Sequence, residues 1–86
     1  MIMKDLKVNW TTVMIDGCEE DCIEVSNGYT MVRIQKLYHY IGNDTTLLTE
    51  FLDGEYNNDE EWDIDFDDIQ DDLTAIEMAK EFSVYL

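Results

Sequence analysis

The dipeptide Asn27-Gly28 is the feature that most constrains the fold of this chain. Residues 22–26 and 29–34 flank it, and both runs are rich in residues that favour β-strands. Asn-Gly is strongly preferred in the two-residue turns of β-hairpins, because both turn positions need a positive φ. The sequence therefore predicts an antiparallel hairpin at this point.

A further strand is predicted before the hairpin. Residues 6–15 begin with apolar residues at alternate positions, and Asp16-Gly17 follows them as a turn pair. We interpret the acidic segment 18–22 as a turn or loop, which gives a three-stranded antiparallel meander. Residues 35–41 either extend the third strand or form a short helix that ends at Gly42-Asn43.

The second half of the chain is predicted to contain two helices. The first spans residues 45–53, with Asp44 as its N-cap and Gly54 as its stop. Its apolar stripe consists of Leu47, Leu48, Phe51 and Leu52.

Residues 55–64 are interpreted as an acidic connection to the second helix, which starts near Asp63 or Asp65. The apolar stripe of that helix consists of Ile69, Leu73, Ile76, Ala79 and Phe82. The expected fold is a single α+β domain over residues 1–86, a three-stranded antiparallel sheet followed by two helices.

The charge of the chain is strongly negative and unevenly placed. The formal net charge is −16. Residues 1–42 hold six acids and four bases, whereas residues 43–86 hold fifteen acids and one base, Lys80. Such a field repels nucleic acids and anionic membranes and attracts basic protein surfaces. We therefore expect a basic protein partner, with no direct binding to nucleic acid or membrane.

Two features indicate a cytoplasmic protein. No stretch approaches the ~18 apolar residues of a membrane span, and the first residues lack the apolar core of a signal peptide. Cys18 and Cys22 fit free thiols in such a compartment, although their spacing also permits a local disulfide across a turn.

The candidate functional stretch runs from residue 59 to residue 72 and contains no basic residue. In its first half, acids alternate with Trp62, Ile64 and Phe66, so an extended chain places successive acids on one face roughly 6.5–7 Å apart. In its second half, the pairs Asp67/Asp71 and Asp68/Asp72 have helical spacing.

The distance between these acids is similar to the distance between successive phosphates along one DNA strand, because each nucleotide contributes ~3.4 Å of rise on a wide helix. The predicted phosphate-like groups are Asp59, Glu60, Glu61, Asp63, Asp65, Asp67, Asp68, Asp71 and Asp72, with Asp53 and Glu55 at the rim.

Simpler explanations of this stretch compete with charge mimicry. One is a solvated surface that confers solubility, although a net charge of ~2–8 suffices for that purpose in a small domain. Another is calcium binding, because Asp63, Asp65 and Asp67 imitate the opening of an EF-hand loop. That loop would need glycine where Asp68 stands and glutamate where Thr74 stands, so we expect no metal site.

No catalytic arrangement is evident. His39 is the single histidine, and no nucleophile is paired with it by any motif in the sequence. Cys18 and Cys22 lack the second ligand pair of a structural zinc site. No glycine-rich phosphate loop is present. We expect neither enzyme activity nor a cofactor.

A short, acidic chain with aromatic residues and without catalytic motifs resembles the small DNA-mimic inhibitors of tailed phages, the anti-restriction and anti-CRISPR proteins. This is a resemblance of class, and it rests on the net charge and on the acids of residues 59–72. It implies a host-defence-evasion protein that occupies the DNA-binding site of a restriction nuclease or CRISPR effector in the host cytoplasm.

Two alternative functions are an acidic adaptor that binds a basic nucleoid or histone-like protein, and a calcium-binding or structural acidic domain. A homodimer is compatible with each of these functions, because it would lengthen the charged surface.

Overall fold

The computed structural model describes residues 5–86, which form a five-stranded antiparallel sheet with one α-helix on one face. The elements are β1 (Lys7–Ile15), β2 (Cys18–Ser26), β3 (Thr30–Leu37), β4 (Thr45–Leu52), β5 (Glu55–Trp62), a 3₁₀ turn (Phe66–Asp68) and α1 (Asp72–Phe82). The strands lie in the sheet in sequence order, so each pairs with the next strand along the chain. The prediction of three strands followed by two helices is therefore wrong, since the two segments predicted as the first helix and the acidic connection are β4 and β5.

The first three strands form the predicted antiparallel meander, but β2 is longer than expected. Asp16 and Gly17 have φ values of 51° and 81°, which reverse the chain in two residues. β2 consequently begins at Cys18, which pairs with Ile15. The prediction that residues 18–22 form a loop is wrong, because a turn this tight leaves no residues for one.

The hairpin at Asn27-Gly28 is confirmed, although its turn differs from the expected type. Gly28 has a φ of 97°, whereas Asn27 is not among the positive-φ residues of the described chain. The Asn27 side chain instead accepts hydrogen bonds from the backbone N–H groups of Tyr29 (3.0 Å) and Thr30 (2.8 Å). The third strand ends at Leu37, so residues 35–37 extend it and residues 38–44 form the connection to β4.

β4 occupies the segment that was predicted to be a helix. Its apolar residues are consecutive because both faces of this inner strand are covered at least in part: Leu48 is buried, and Leu47 and Phe51 are half-buried. Such a run imitates a helical stripe. Three threonines in the segment favour the strand, since β-branched side chains fit a pleated surface better than a helix. Asp44 caps no helix and instead accepts a hydrogen bond from the backbone N–H of His39 (3.4 Å).

β5 occupies the segment that was predicted to be an acidic connection. It is an edge strand, and its residues from Glu55 to Glu61 are exposed on both faces. An edge strand of this kind has no alternation of buried and exposed positions, so hydrophobic periodicity cannot detect it. Its pairing with β4 contains a bulge opposite Glu50 and Phe51.

The core lies between one face of the sheet and α1. Its buried apolar residues are Ile23, Val25, Val32, Ile34 and Leu48 from the sheet, Ala75, Met78 and Ala79 from α1, and Phe66 and Ile69 from the preceding turn. The helix starts at Asp72 rather than near Asp63 or Asp65. Its predicted stripe is also partly wrong, because Ile69 precedes the helix and Leu73 is exposed.

Candidate functional site

The eleven acids predicted to bind a partner are all exposed and follow one continuous stretch of the chain. We call them the acidic edge. Its members lie in the β4–β5 turn, along the edge strand β5, in the bend and 3₁₀ turn that follow, and at the start of α1. They are Asp53, Glu55, Asp59, Glu60, Glu61, Asp63, Asp65, Asp67, Asp68, Asp71 and Asp72.

The geometry of the acidic edge agrees with the predicted one only in β5. Asp59 and Glu61 lie on one side of the strand, where alternate side chains are roughly 6.5–7 Å apart. The alternation ends at Trp62, the last residue of the strand. The helical spacing predicted for the second half is wrong, since Asp67 and Asp68 belong to the 3₁₀ turn and precede the helix.

Aromatic side chains fix two of the strand carboxylates. The Trp62 indole N–H donates to Glu60 (2.6 Å), and the Tyr56 hydroxyl donates to Asp59 (3.0 Å). The hydrogen bond to Asp59 raises the pKa of the Tyr56 hydroxyl, because the neighbouring carboxylate favours the protonated phenol. These contacts hold Glu60 and Asp59 in defined orientations beside the strand.

Three more acids are fixed by donors in the segment that leads into the helix, and one of them, Asp72, accepts from the indole N–H of Trp10 in β1 (2.6 Å). Asp65 accepts from the backbone N–H of Asp67 (3.0 Å) and caps the 3₁₀ turn. Asp71 accepts from the backbone N–H of Thr74 (2.7 Å) and caps α1. The hydrogen bonds from Thr74 lower the pKa of Asp71, so this carboxylate stays ionised to a lower pH than an ordinary aspartate.

Two members of the acidic edge have a basic partner. The Lys36 ammonium group lies 2.8 Å from Asp67, and this hydrogen bond raises the pKa of Lys36. The His39 imidazole lies 3.1 Å from Glu61, which also accepts from the Thr45 hydroxyl (2.8 Å). At four members the carboxylate accepts no hydrogen bond from any group in residues 5–86. These four are Asp53, Glu55, Asp63 and Asp68.

The cluster of His39, Thr45 and Glu61 does not have the geometry of a nucleophile with its base. Both the Thr45 hydroxyl and the Glu61 carboxylate contact the same ring nitrogen, Nε2. A catalytic histidine needs its acid at the other nitrogen, Nδ1, to orient the ring. The cluster therefore ties the loop after β3 to β5.

A buried carboxylate that was not among the predicted site residues lies where β4, β5 and the end of α1 meet. Glu50 of β4 is 5% exposed and accepts hydrogen bonds from Asn57 of β5 (2.7 Å) and from the Ser83 hydroxyl at the end of α1. It therefore connects three elements. The signal in the sequence is one acid within the otherwise uncharged run of residues 45–52.

No arrangement suited to a metal ion is found in residues 5–86. Asp63 and Asp65 line an open concavity of about 550 Å³ with Asp44, and these carboxylates do not converge on one point. The two thiols are free, and Cys22 is buried, which raises its pKa. Cys18 and Cys22 are four residues apart in one strand, about 13 Å, so a disulfide across a turn is wrong.

Comparison of the chain with models of protein families, with curated proteins and with solved structures finds no match. In the part of the chain that the structure describes, no helix is long and apolar enough to cross a membrane. The geometry of the acidic edge is therefore the basis for assigning a function.

Proposed function

We propose that this protein is a DNA-mimic inhibitor whose acidic edge occupies the DNA-binding site of a nucleic-acid-binding enzyme. A restriction nuclease or a CRISPR effector of a bacterial host is the expected target, encountered in the host cytoplasm by a phage-encoded inhibitor. The observation that carries the proposal is the exposure of eleven carboxylates along one continuous stretch of the chain, of which residues 55–62 are paired with β4.

The distribution of basic residues supports this function. The described residues include four bases, Lys7, Arg33, Lys36 and Lys80. Two of them are engaged within the fold, since Arg33 pairs with Glu24 (3.3 Å) and Lys36 pairs with Asp67. Within residues 5–86, Lys36 is thus the one lysine or arginine paired with the acidic edge, and most of the negative charge of that edge stays uncompensated, as expected of a surface that imitates a polyanion.

The shape of the molecule also supports it. The described chain measures 47 × 24 × 20 Å, so its long axis exceeds the ~34–36 Å of one DNA turn. Along β5, Asp59 and Glu61 repeat at roughly the spacing of strand phosphates. Pairing with β4 fixes this spacing, because seven residues of β5 are in register with that strand.

The mechanism follows from the way proteins bind DNA. A DNA-binding groove gains affinity when its Lys and Arg side chains replace the counterions around phosphates. A folded carboxylate array offers the same charges, but it has neither base edges nor the deformability of a duplex. A groove occupied by the acidic edge is unable to engage DNA.

The test uses two variants with equal net charge. The first neutralises the four members of the acidic edge that have no side-chain partner, so no internal contact is lost. Its substitutions are Asp53→Asn, Glu55→Gln, Asp63→Asn and Asp68→Asn. The control neutralises four exposed acids elsewhere, and its substitutions are Asp16→Asn, Glu19→Gln, Glu77→Gln and Glu81→Gln.

Immobilised protein is used to capture basic DNA-binding proteins from a bacterial lysate, with and without excess duplex DNA. We expect DNA to prevent capture. We also expect the edge variant to bind the captured protein about 4–900-fold more weakly, at ~0.2–1 kcal/mol for each of the lost charge pairs. The control variant should bind nearly as the wild type does. Equal losses in both variants would mean that net charge alone matters, and a ternary complex with DNA would indicate the adaptor function instead.

A further inference from the structure

The first strand, β1, is an edge strand whose outer side is open. It pairs with β2 without interruption, from Lys7 opposite Ser26 to Ile15 opposite Cys18. Within residues 5–86, no strand pairs with its other side. The backbone N–H and C=O groups on that side form a template on which another strand can add.

β1 has only one of the features by which edge strands avoid such pairing, a lysine at its first position. β5, at the opposite edge, has four acids and a bulge, both of which discourage the addition of a strand. β1 has no acid, no proline and no bulge, and Lys7 is its single charge. It also exposes large apolar side chains, since Trp10 is 45% and Met14 is 64% exposed.

We propose that β1 pairs antiparallel with β1 of a second copy of this chain, giving a symmetric dimer with a continuous ten-stranded sheet. The two-fold axis passes beside Thr11, so that Thr11 of each copy lies opposite Thr11 of the other. In this register Val8 lies opposite Met14 of the second copy, and Trp10 lies opposite Thr12. An interface of this kind is isologous, with the same strand contributed by both subunits.

The placement of charge identifies the second copy as the occupant. Lys7 at one end of β1 lies opposite Ile15 of the second copy, beside the acidic β1–β2 hairpin that contains Asp16 and Glu19. The same contact occurs twice by symmetry. Each interface end therefore joins the positive end of one strand to the negative hairpin of the other.

Dimerisation through β1 also keeps the two β5 strands apart, although Asp72 at the start of α1 lies beside β1, where it accepts from the Trp10 indole N–H (2.6 Å). In the sheet order, β5 is the strand farthest from β1. At ~4.8 Å per strand, the two β5 strands of a ten-stranded sheet lie about 43 Å apart. This distance is several times the ~8–10 Å Debye length at moderate salt. A basic partner, in contrast, is drawn to the acidic edge and has little attraction to a strand whose single charge is a lysine.

The first measurement is the mass in solution by sedimentation equilibrium, from micromolar to millimolar protein. The chain has a mass of 10.1 kDa, and we expect a species of twice that mass. A monomer at all these concentrations would overturn the proposal. The dimer does not depend on the proposed function, because the pairing uses backbone groups of β1 and the one member of the acidic edge bonded to β1, Asp72, contacts Trp10 of its own copy.

Substitutions at Thr11 then test the interface and its register. Thr11→Glu and Thr11→Lys each place two like charges directly opposite one another, so each variant alone should sediment as a monomer. Mixed in equal amounts, they should form a heterodimer, because opposite charges now face each other. Gln70→Glu adds the same charge at an exposed site outside the strands and should remain dimeric.

Circular dichroism on each variant confirms that the sheet is retained. A mass that stays doubled in Thr11→Glu would place the dimer interface elsewhere and overturn the assignment to β1. A mixture of the Glu and Lys variants that stays monomeric although both are folded would overturn the register centred on Thr11.

Discussion

The two edge strands of the sheet present different groups to a partner. β5 points carboxylates into solvent, and its backbone carries a bulge that discourages further pairing. β1 has a regular, acid-free backbone with an open row of hydrogen-bonding groups. The comparison teaches that one small sheet can separate recognition by side-chain charge from recognition by backbone pairing. Binding at β5 should weaken steeply with salt, whereas pairing at β1 should change much less, because backbone hydrogen bonds contribute most of it.

The largest expected effect tests whether β5 is held rigidly. Glu50→Ala removes the buried carboxylate that joins β5 to the end of α1, and it leaves Asn57 and Ser83 without their acceptor. We expect the free energy of unfolding to fall by about 2–4 kcal/mol, from the lost packing and the unsatisfied donors. Urea denaturation measures this change.

The control for that substitution is Glu77→Ala, which removes an exposed glutamate from α1. It should change the free energy of unfolding by no more than ~0.5 kcal/mol. If Glu50→Ala were as mild as this control, the acidic edge would not depend on the buried carboxylate for its order.

An intermediate effect tests the charge of the acidic edge. Two carboxylates about 7 Å apart in water repel by about 0.6 kcal/mol, and salt screens this repulsion in the folded state. We expect added potassium chloride to raise the melting temperature by several degrees, at ~4–8 °C per kcal/mol for a domain of this size. Differential scanning calorimetry at increasing salt measures the rise.

The variant that neutralises Asp53, Glu55, Asp63 and Asp68 should show a smaller rise than the charge-matched control. A melting temperature that is flat or falls with salt in the wild type would mean that the negative charges are already compensated. An equal rise in both variants would mean that the repulsion is spread over the whole molecule.

The smallest expected effect appears at alkaline pH. Hydrogen bonds to Asp59, Glu20 and Asp67 raise the pKa values of Tyr56, Tyr38 and Lys36 above their ordinary values of 10.0, 10.0 and 10.5. A group with a raised pKa in the folded state contributes its full stability below its unfolded pKa and loses it as pH rises through the folded pKa. We therefore expect the melting temperature to decrease slightly as the pH rises above about 10.

The double variant Tyr38→Phe, Tyr56→Phe removes two of these three hydrogen bonds. Its melting temperature should decrease less over the same pH range, as measured by thermal scans in matched buffers. A decrease as large as that of the wild type would assign the alkaline effect to other groups.

Turn chemistry predicted the first half of the fold, and the same chemistry was present but overlooked in the second half. Asp16-Gly17 and Asp53-Gly54 have the same φ values, 51° and 81°. The first pair was interpreted as a turn because recognisable strands adjoin it. The second was interpreted as a helix stop, because the consecutive apolar residues before Gly54 imitate a helical stripe.

The remaining errors arise where burial differs from the usual pattern. β4 alternates buried and half-buried positions from Thr46 to Phe51, but apolar residues stand on both of its faces and the acid Glu50 is buried, so its sequence lacks the alternation of a half-buried strand. β5 is exposed on both faces, so it lacks alternation as well. A strand of either kind can be predicted from the sequence mainly by the turns that flank it and by its β-branched residues.

The exposure of the acids of the candidate site could be predicted from the sequence, but the distances between them could not. Exposure of carboxylates follows from the cost of burying charge, so all eleven could be placed at the surface. Their spacing depended on where β5 ends and where α1 begins. Glu50 was missed because its burial depends on Ser83, which is distant in sequence and reaches it only in the folded molecule.

The agreement between strand order and sequence order has a consequence for how the chain folds. Each strand pairs with the strand that follows it in the sequence, so the sheet can form by successive hairpins without closing a long loop. β4 provides the template for β5, and the four carboxylates of that last strand come together only when it docks. Assembly from the N-terminal side would then bring these four carboxylates together late, when the earlier strands already supply a stable surface that offsets their mutual repulsion.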